Sequence, residues 1–161
     1  MTEYLIKEDL EFFLKKKEYL YVASSNADGT PNVAPKFLIK AVRDFIYLAD
    51  FVFGRTYINL QSRPRTSLSI INLDTLTGYQ INGNSQLVEN GPEFEAIVED
   101  LNKREIQFSA KRLIEGVKQE KRIENYELNF PDRLVVIKIA VEEIVRIDHG
   151  GKVERETKQN V

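Results

Sequence analysis

Between Leu48 and Leu68 the chain reads L-A-D-F-V-F-G-R-T-Y-I-N-L-Q-S-R-P-R-T-S-L. An apolar run breaks at Gly54 and places Arg55 and Thr56 at the start of a short amphipathic turn, and a second extended run begins beyond Pro64. This order of residue types suits an anion. Arg55 offers a rigid fork of N–H donors, Thr56 a hydroxyl, and the first turn of a helix several backbone N–H groups with no intrahelical partner. A phosphate ester is the expected guest, although Gly-Arg-Thr before a helical turn also describes an ordinary loop with a solvated arginine.

The elements that must hold this corner follow from periodicity. Glu8 to Lys17 carries Leu10, Phe13 and Leu14 on one face and ends in three lysines, which predicts a short helix lidding one end of the core. Tyr19 to Ser25 and Asn32 to Lys40 are rich in β-branched and aromatic residues and flank N-A-D-G-T-P, predicting a hairpin with a longer loop. Phe45 to Asp50, Thr66 to Leu73 and Thr77 to Glu89 continue the strand pattern, with Asn82-Gly83-Asn84 marking a bulge or bend.

After Asn90-Gly91-Pro92, helical spacing of Phe94, Ile97, Val98 and Leu101, and again of Leu113, Ile114 and Val117, predicts two helices or one broken near Gln107 to Ser109, with Ser109 a possible N-cap. Lys121 to Asp132 reads as polar, ending in a Phe130-Pro131-Asp132 turn. Arg133 to Ile147 returns to strand, so apolar from Leu134 to Ile137 that both faces should be buried. The remainder, from Asp148 through Gly150-Gly151, reads as a loose tail, and His149, the only histidine, as incidental.

The order predicts one mainly β (α+β) domain over 1–161: a six-stranded antiparallel Greek-key barrel, with an N-terminal helix and a helical insertion before the last strand. The 161 residues, 42% apolar, suffice for a core without staples. The absence of cysteine excludes disulfides, thiolate catalysis and Cys-based metal sites, and no metal ligand set stands out. With 23 Lys and Arg against 25 Asp and Glu, no global positive field recruits nucleic acid or anionic lipid. No basic leader or long apolar run appears, so the expectation is a soluble cytoplasmic protein that uses no membrane.

Five fragments in this order, P-N-V-A-P-K at 31–36, I-Y-L-A-D at 46–50, G-R-T-Y-I-N-L at 54–60, S-R-P-R-T-S-L at 62–68 and G-Y-Q-I-N-G at 78–83, resemble the pyridoxamine 5′-phosphate oxidase-like family of flavin-binding split β-barrels. The final V-E-E-I-V-R-I is similar too. The resemblance implies FMN, or in some branches a deazaflavin or haem, bound at the subunit interface of a homodimer, with a small-molecule substrate or electron donor. It implies an FMN-dependent oxidoreductase, or alternatively a non-catalytic carrier, and names no catalytic residue.

By resemblance Arg55 and Thr56 hold the cofactor phosphate, where many relatives have Lys-Thr or Arg-Lys. Lys36 and Phe37 lie on the strand beside the flavin, and Lys36 is the candidate to stand near its N1 and C2 carbonyl. Ala49 and Asp50 end the next strand, Asp50 orienting Arg55 or capping the turn. Asn59 lies on the helical turn, and Tyr79 and Gln80 face the pyrimidine edge of the ring. Phe37, Tyr79 and Phe51 or Phe53 are candidates for the ring's apolar slot. The terminus D-H-G-G-K-V-E-R-E-T-K-Q-N-V lacks the Arg and aromatic residues that pyridoxamine phosphate oxidases carry there, so oxidation of that vitamer is not implied.

Overall fold

The computed structural model describes residues 4–118 and 133–158. In chain order the elements are α1 (Glu8–Lys15), β1 (Tyr19–Ser25), β2 (Pro31–Val42), β3 (Phe45–Asp50), α2 (Arg55–Ser62), β4 (Arg65–Asn72), β5 (Thr77–Val88), α3 (Pro92–Lys118), β6 (Val135–Ile147) and β7 (Val153–Thr157). All strand pairs are antiparallel in the order β3-β2-β1-β4-β5-β6-β7, and β3 also pairs with β6. That last pairing closes β1–β6 into the expected six-stranded barrel. Among the described residues no helix is long and apolar enough to cross a membrane.

Side chains alternate across a strand, so register assigns each residue to the inside or the outside of the barrel. Leu38, Leu48 and Ile137 lie opposite one another, and with Leu20, Val22, Leu68, Ile81 and Ile139 they fill the interior. One residue along, Phe37, Ala49, Val136 and Val88 form a matching row on the outside, which Ile97 and Leu101 of α3 cover. The uninterrupted apolar stretch of β6 thus serves two cores at once, as its sequence predicts.

Each mouth of the barrel has a plug. At the end where β1, β4 and β6 lie near Tyr19, Asn72 and Ile147, α1 inserts Leu10 and Leu14 beneath Phe13, which leans on Tyr79. At the other end α2 inserts Leu60. The bend expected at Asn82-Gly83 is a register shift in which Glu142 becomes the extra residue of β6. Gly83 is required there, because a Cβ would lie 2.3 Å from the Ala140 carbonyl oxygen.

Two expectations are corrected. The helical insertion is one unbroken helix through Gln107 to Ser109. Nothing in that stretch removes an amide or clashes with the preceding turn, and the Ser109 hydroxyl donates to Glu105 one turn back rather than capping a new helix. Nor is the tail loose. Asp148 accepts from the amides of Gly150 and Lys152, both at 2.9 Å, and Gly151 takes φ +78. These features make a tight turn that returns V-E-R-E-T as β7 along β6. The amide hydrogen bonds hold the Asp148 carboxyl below the usual range. Lys7–Glu156 at 2.8 Å then fastens the strand to the N-terminal segment, and Lys158–Asp44 at 3.0 Å fastens the residue after it to the turn between β2 and β3. The segment 121–132 read as polar lies outside the described residues.

The roof is clamped as well as packed. Arg104 of α3 donates to the carbonyls of Leu38 (2.6 Å) and Lys17 (2.6 Å), and more distantly to those of Leu14 and Lys15, so a cation serves the C-terminal end of α1 where carbonyls lack partners. Arg112 binds Glu18 nearby. Arg104→Ala is therefore expected to lower unfolding free energy by about 2 kcal/mol, read from urea denaturation. Gly83→Ala should cost at least as much, about 2–3 kcal/mol, because backbone rather than a flexible side chain must yield; an unchanged urea midpoint would refute that account of the bulge.

Candidate anion-binding corner at the second mouth

The second mouth is built differently from the first. On the inner face of β1, Leu20 and Val22 give way to Ser24, which lies opposite Asn32 of β2, while Lys36 lies opposite Leu20. Lys36 and Asp50 are 5% and 1% exposed, and the Lys36 ammonium meets Asp50 Oδ1 at 2.8 Å. The same carboxylate oxygen accepts from the Val52 amide at 3.0 Å. Of the two roles expected for Asp50, the contact present is the capping of the turn.

Beyond that cap the backbone turns sharply. Phe53 adopts φ +53, a left-handed conformation uncommon for an aromatic residue. Gly54 then stands at the start of α2 with no side-chain cap. The first bond along the helix runs from the Ile58 amide to the Gly54 carbonyl at 3.1 Å. The amides of Arg55, Thr56 and Tyr57 therefore project from the helix start without a partner among the described residues.

Arg55 is exposed, and it is the one arginine among the described residues without a hydrogen-bond, ion-pair or aromatic partner. Arg43 and Arg133 lie over the rings of Tyr4 and Phe53. Arg63 bonds to Ala27 and Arg65 to Glu142. Arg104 and Arg112 are engaged as described, and Arg146 and Arg155 pair with Glu154 and Glu143.

Thr56 points the other way and is 2% exposed. Its hydroxyl accepts from the Asn32 amide at 3.0 Å, and Ser24 accepts from Asn59 at 3.1 Å and from Asn32 at 3.4 Å. A hydroxyl that has accepted still has its own proton to give. Ser24 and Asn32 are the members of this cluster that sequence reasoning missed. The signal was available in the alternation Leu20, Val22, Ser24, which puts a small polar residue on an otherwise apolar inner row.

Beside the helix start, Phe53 and Tyr57 lie 4.8 Å apart between ring centroids, with the Arg133 guanidinium 4.8 Å over Phe53. The Tyr57 hydroxyl donates to Glu89 at 2.6 Å, and that carboxylate holds the phenol above its usual range. Ser24 and Thr66 also line a cleft of about 500 Å³ rimmed by Arg65, Asn82, Glu142 and Glu143.

Of the predicted residues, Lys36, Asp50, Arg55, Thr56 and Asn59 gather at this mouth. Phe37 and Ala49 do not join them: they lie on the outer face under α3, Phe37 edge-on to Phe108. Tyr79 and Gln80 are remote, paired with Ile70 and Ser69 toward the α1 end. The Gln80 side chain donates to Asn82 at 3.3 Å, at the rim of the cleft that Ser24 and Thr66 line.

The comparisons with known proteins agree with this architecture. A protein of Methanocaldococcus jannaschii is 27% identical over 106 residues, a match covering 64% of this chain and 66% of the relative. Two solved structures share the fold. One is a pyridoxamine 5′-phosphate oxidase-related, FMN-binding protein from Nostoc punctiforme, 13% identical, covering 99% of this chain and 100% of that one with a TM-score of 0.59. The other is an F420 reductase, 17% identical, covering 83% and 94% with a TM-score of 0.57. The family model described as pyridoxamine 5′-phosphate oxidase matches residues 6–146, and with the closed barrel and its plugged mouths in place, the chain belongs to that family.

Proposed function

We propose that this chain is an FMN-dependent oxidoreductase acting as a pair of identical chains in the cytoplasm, with the FMN phosphate held at the start of α2. The observation that carries this reading is Arg55, an exposed guanidinium with no partner among the described residues, beside three unpartnered amides. A phosphate monoester brings close to two negative charges and three acceptor oxygens. Arg55 would take two of those oxygens through its fork, and the three amides would take remaining lone pairs, while Thr56, turned inward, holds the helix start in place from below. The donor set therefore fits the group. The likeness to a Nostoc protein described as FMN-binding supports the reading.

Bound FMN supplies the redox chemistry, so the chain has to provide position and environment rather than a nucleophile. The Asp50 cap and the Gly54 start fix where Arg55 leaves the backbone, and the inner polar cluster keeps Thr56 oriented from below. Two copies are part of the proposal for a geometric reason. Tyr79 and Gln80, which resemblance assigns to the ring, lie toward the α1 end of the barrel and not at the mouth that carries Arg55. Around β1, β2 and β4 the exposed Tyr19, Tyr21, Val33 and Ile71 offer a surface on which a second copy would bring its own β5 alongside.

A second reading has one observation in its favour. Thr56 is neutral and turned inward where relatives often carry lysine, which leaves a single cation and suits a less charged phosphodiester such as a deazaflavin carries; the likeness to an F420 reductase is consistent with it. The absorption spectrum of purified protein, with mass spectrometry of whatever is released on denaturation, separates FMN, deazaflavin and haem. Reduction of the bound group by NADH, NADPH or a reduced deazaflavin separates an enzyme from a carrier. Arg55→Ala is expected to raise the Kd for FMN about tenfold or more, ~1.5 kcal/mol, while riboflavin, which lacks the phosphate, binds as before. Equal FMN affinity in the two proteins would move the phosphate elsewhere.

A further inference from the structure

Asp50 is the last residue of β3 and stands in the barrel interior, where a carboxylate is costly unless paired. Lys36 neutralises it, but an apolar pair at the same two positions would fill the interior without either charge. The second contact of Asp50 gives the pair a purpose. Its Oδ1 also receives the Val52 amide, although Val52 as a residue is 76% exposed. An amide in such a surface loop would ordinarily be left to water. Here it is tied to a group fixed inside the barrel, three residues before Arg55 begins its helix by way of Phe53 and Gly54.

The left-handed Phe53 is the complementary observation. An aromatic residue held at φ +53 persists where its surroundings over-determine it. The bond from Val52 to Asp50 fixes the residue before it, and the Phe53 ring is held from outside by Tyr57 and Arg133. Asp50 Oδ2 remains buried without a hydrogen-bond partner, so the carboxylate is not placed to satisfy its own bonding capacity. Its geometry serves the loop.

We propose that Asp50, anchored by Lys36, is a positioning residue for the anion corner: through the Val52 amide it sets the turn that aims Arg55 and the first amides of α2 at a ligand phosphate. This rests on the phosphate reading above and assigns Asp50 and Lys36 to the aim of the corner, not to contact with the flavin ring. The ion pair holds Asp50 in place, and the capping oxygen transmits that placement to the loop.

The test separates the capping oxygen from the charge. Two double variants, Lys36→Met with Asp50→Asn and Lys36→Met with Asp50→Leu, are alike in lacking both charges, but only the first retains an oxygen able to accept from Val52. Isothermal titration with FMN and with riboflavin gives each protein's preference for the phosphate-bearing ligand. The leucine double is expected to show a preference at least tenfold below that of the asparagine double, with riboflavin affinity alike in the two. Equal preference in both folded doubles overturns the proposal.

A measurement on the unaltered protein stands independently of how the variants fold. Hydrogen exchange followed by NMR should find the Val52 amide protected at least a hundredfold despite the exposure of the residue, and exchange at the rate of an open loop would also overturn it. If the unaltered protein shows no preference for FMN over riboflavin, the phosphate reading itself falls. A preserved wild-type preference that survives in the leucine double sinks only the role given to Asp50.

Discussion

A sheet that closes on itself has no free edges within its ring, but it creates an inside to be filled and two mouths to be stopped. The pairing of β3 with β6 imposes that condition here, and most other features answer it. Leucine, isoleucine and valine fill the middle layers, and α1 stops one mouth with Leu10 and Leu14. The second mouth is stopped by α2, whose inward residues include Thr56 and Asn59 besides Leu60. Polar groups in a plug must find partners, and Ser24 and Asn32 supply them. A mouth stopped only by leucine would be tighter, but its plug would have no fixed polar direction in which to present a helix start.

That difference in chemistry between the mouths accounts for where the residues of resemblance fall. Inner-row positions near the ends of β1 and β3 become the polar mouth, while Phe37 and Ala49, one residue from Lys36 and Asp50, turn to the opposite side of the sheet and serve the layer beneath α3. Neighbours in the sequence therefore belong to two different cores. The long helix is held to the outer layer by Phe94, Ile97, Leu101 and Phe108 and tied by Arg104 to the end of α1. It roofs that layer and is joined to it by both packing and hydrogen bonds.

Much of this was legible in the sequence because the relevant signals are local. Period-two alternation, the turn at N-A-D-G-T-P and the Gly83 bend mark strands whose order leaves few topologies, and Gly54-Arg55-Thr56 announces a helix start with a cation on it. The misses have physical reasons. β7 is a run of charged residues whose strand character comes from pairing with β6 and from the Asp148 turn, and hydropathy carries no trace of either. The continuity of α3 was hidden because a polar stretch around Gln107 resembles a break when the helix leaves that side to solvent. The bond between Lys36 and Asp50 joins residues fourteen apart in sequence, and only strand register brings them together. Even then, register alone does not show that Asp50 reaches on to the Val52 amide.

The charge arithmetic of the polar mouth bears on what it can hold. Lys36 and Asp50 sum to zero and, facing each other inside the barrel, send little field outward. Thr56 adds none. Arg133 over Phe53 and Glu89 on Tyr57 also sum to zero, so what remains at the start of α2 is one unit from Arg55 and about half a unit from the helix dipole, against roughly one and a half to two units on a phosphate monoester. The corner thus nearly neutralises such a group without exceeding it. A lysine in place of Thr56 would raise the positive side to about two and a half, but its stem would displace the hydroxyl that accepts from Asn32 and leave that amide short of an acceptor in a largely buried cluster. The threonine therefore exchanges electrostatic strength for an intact plug. The affinity of the corner then depends less on the number of its charges than on how firmly its one free arginine is aimed.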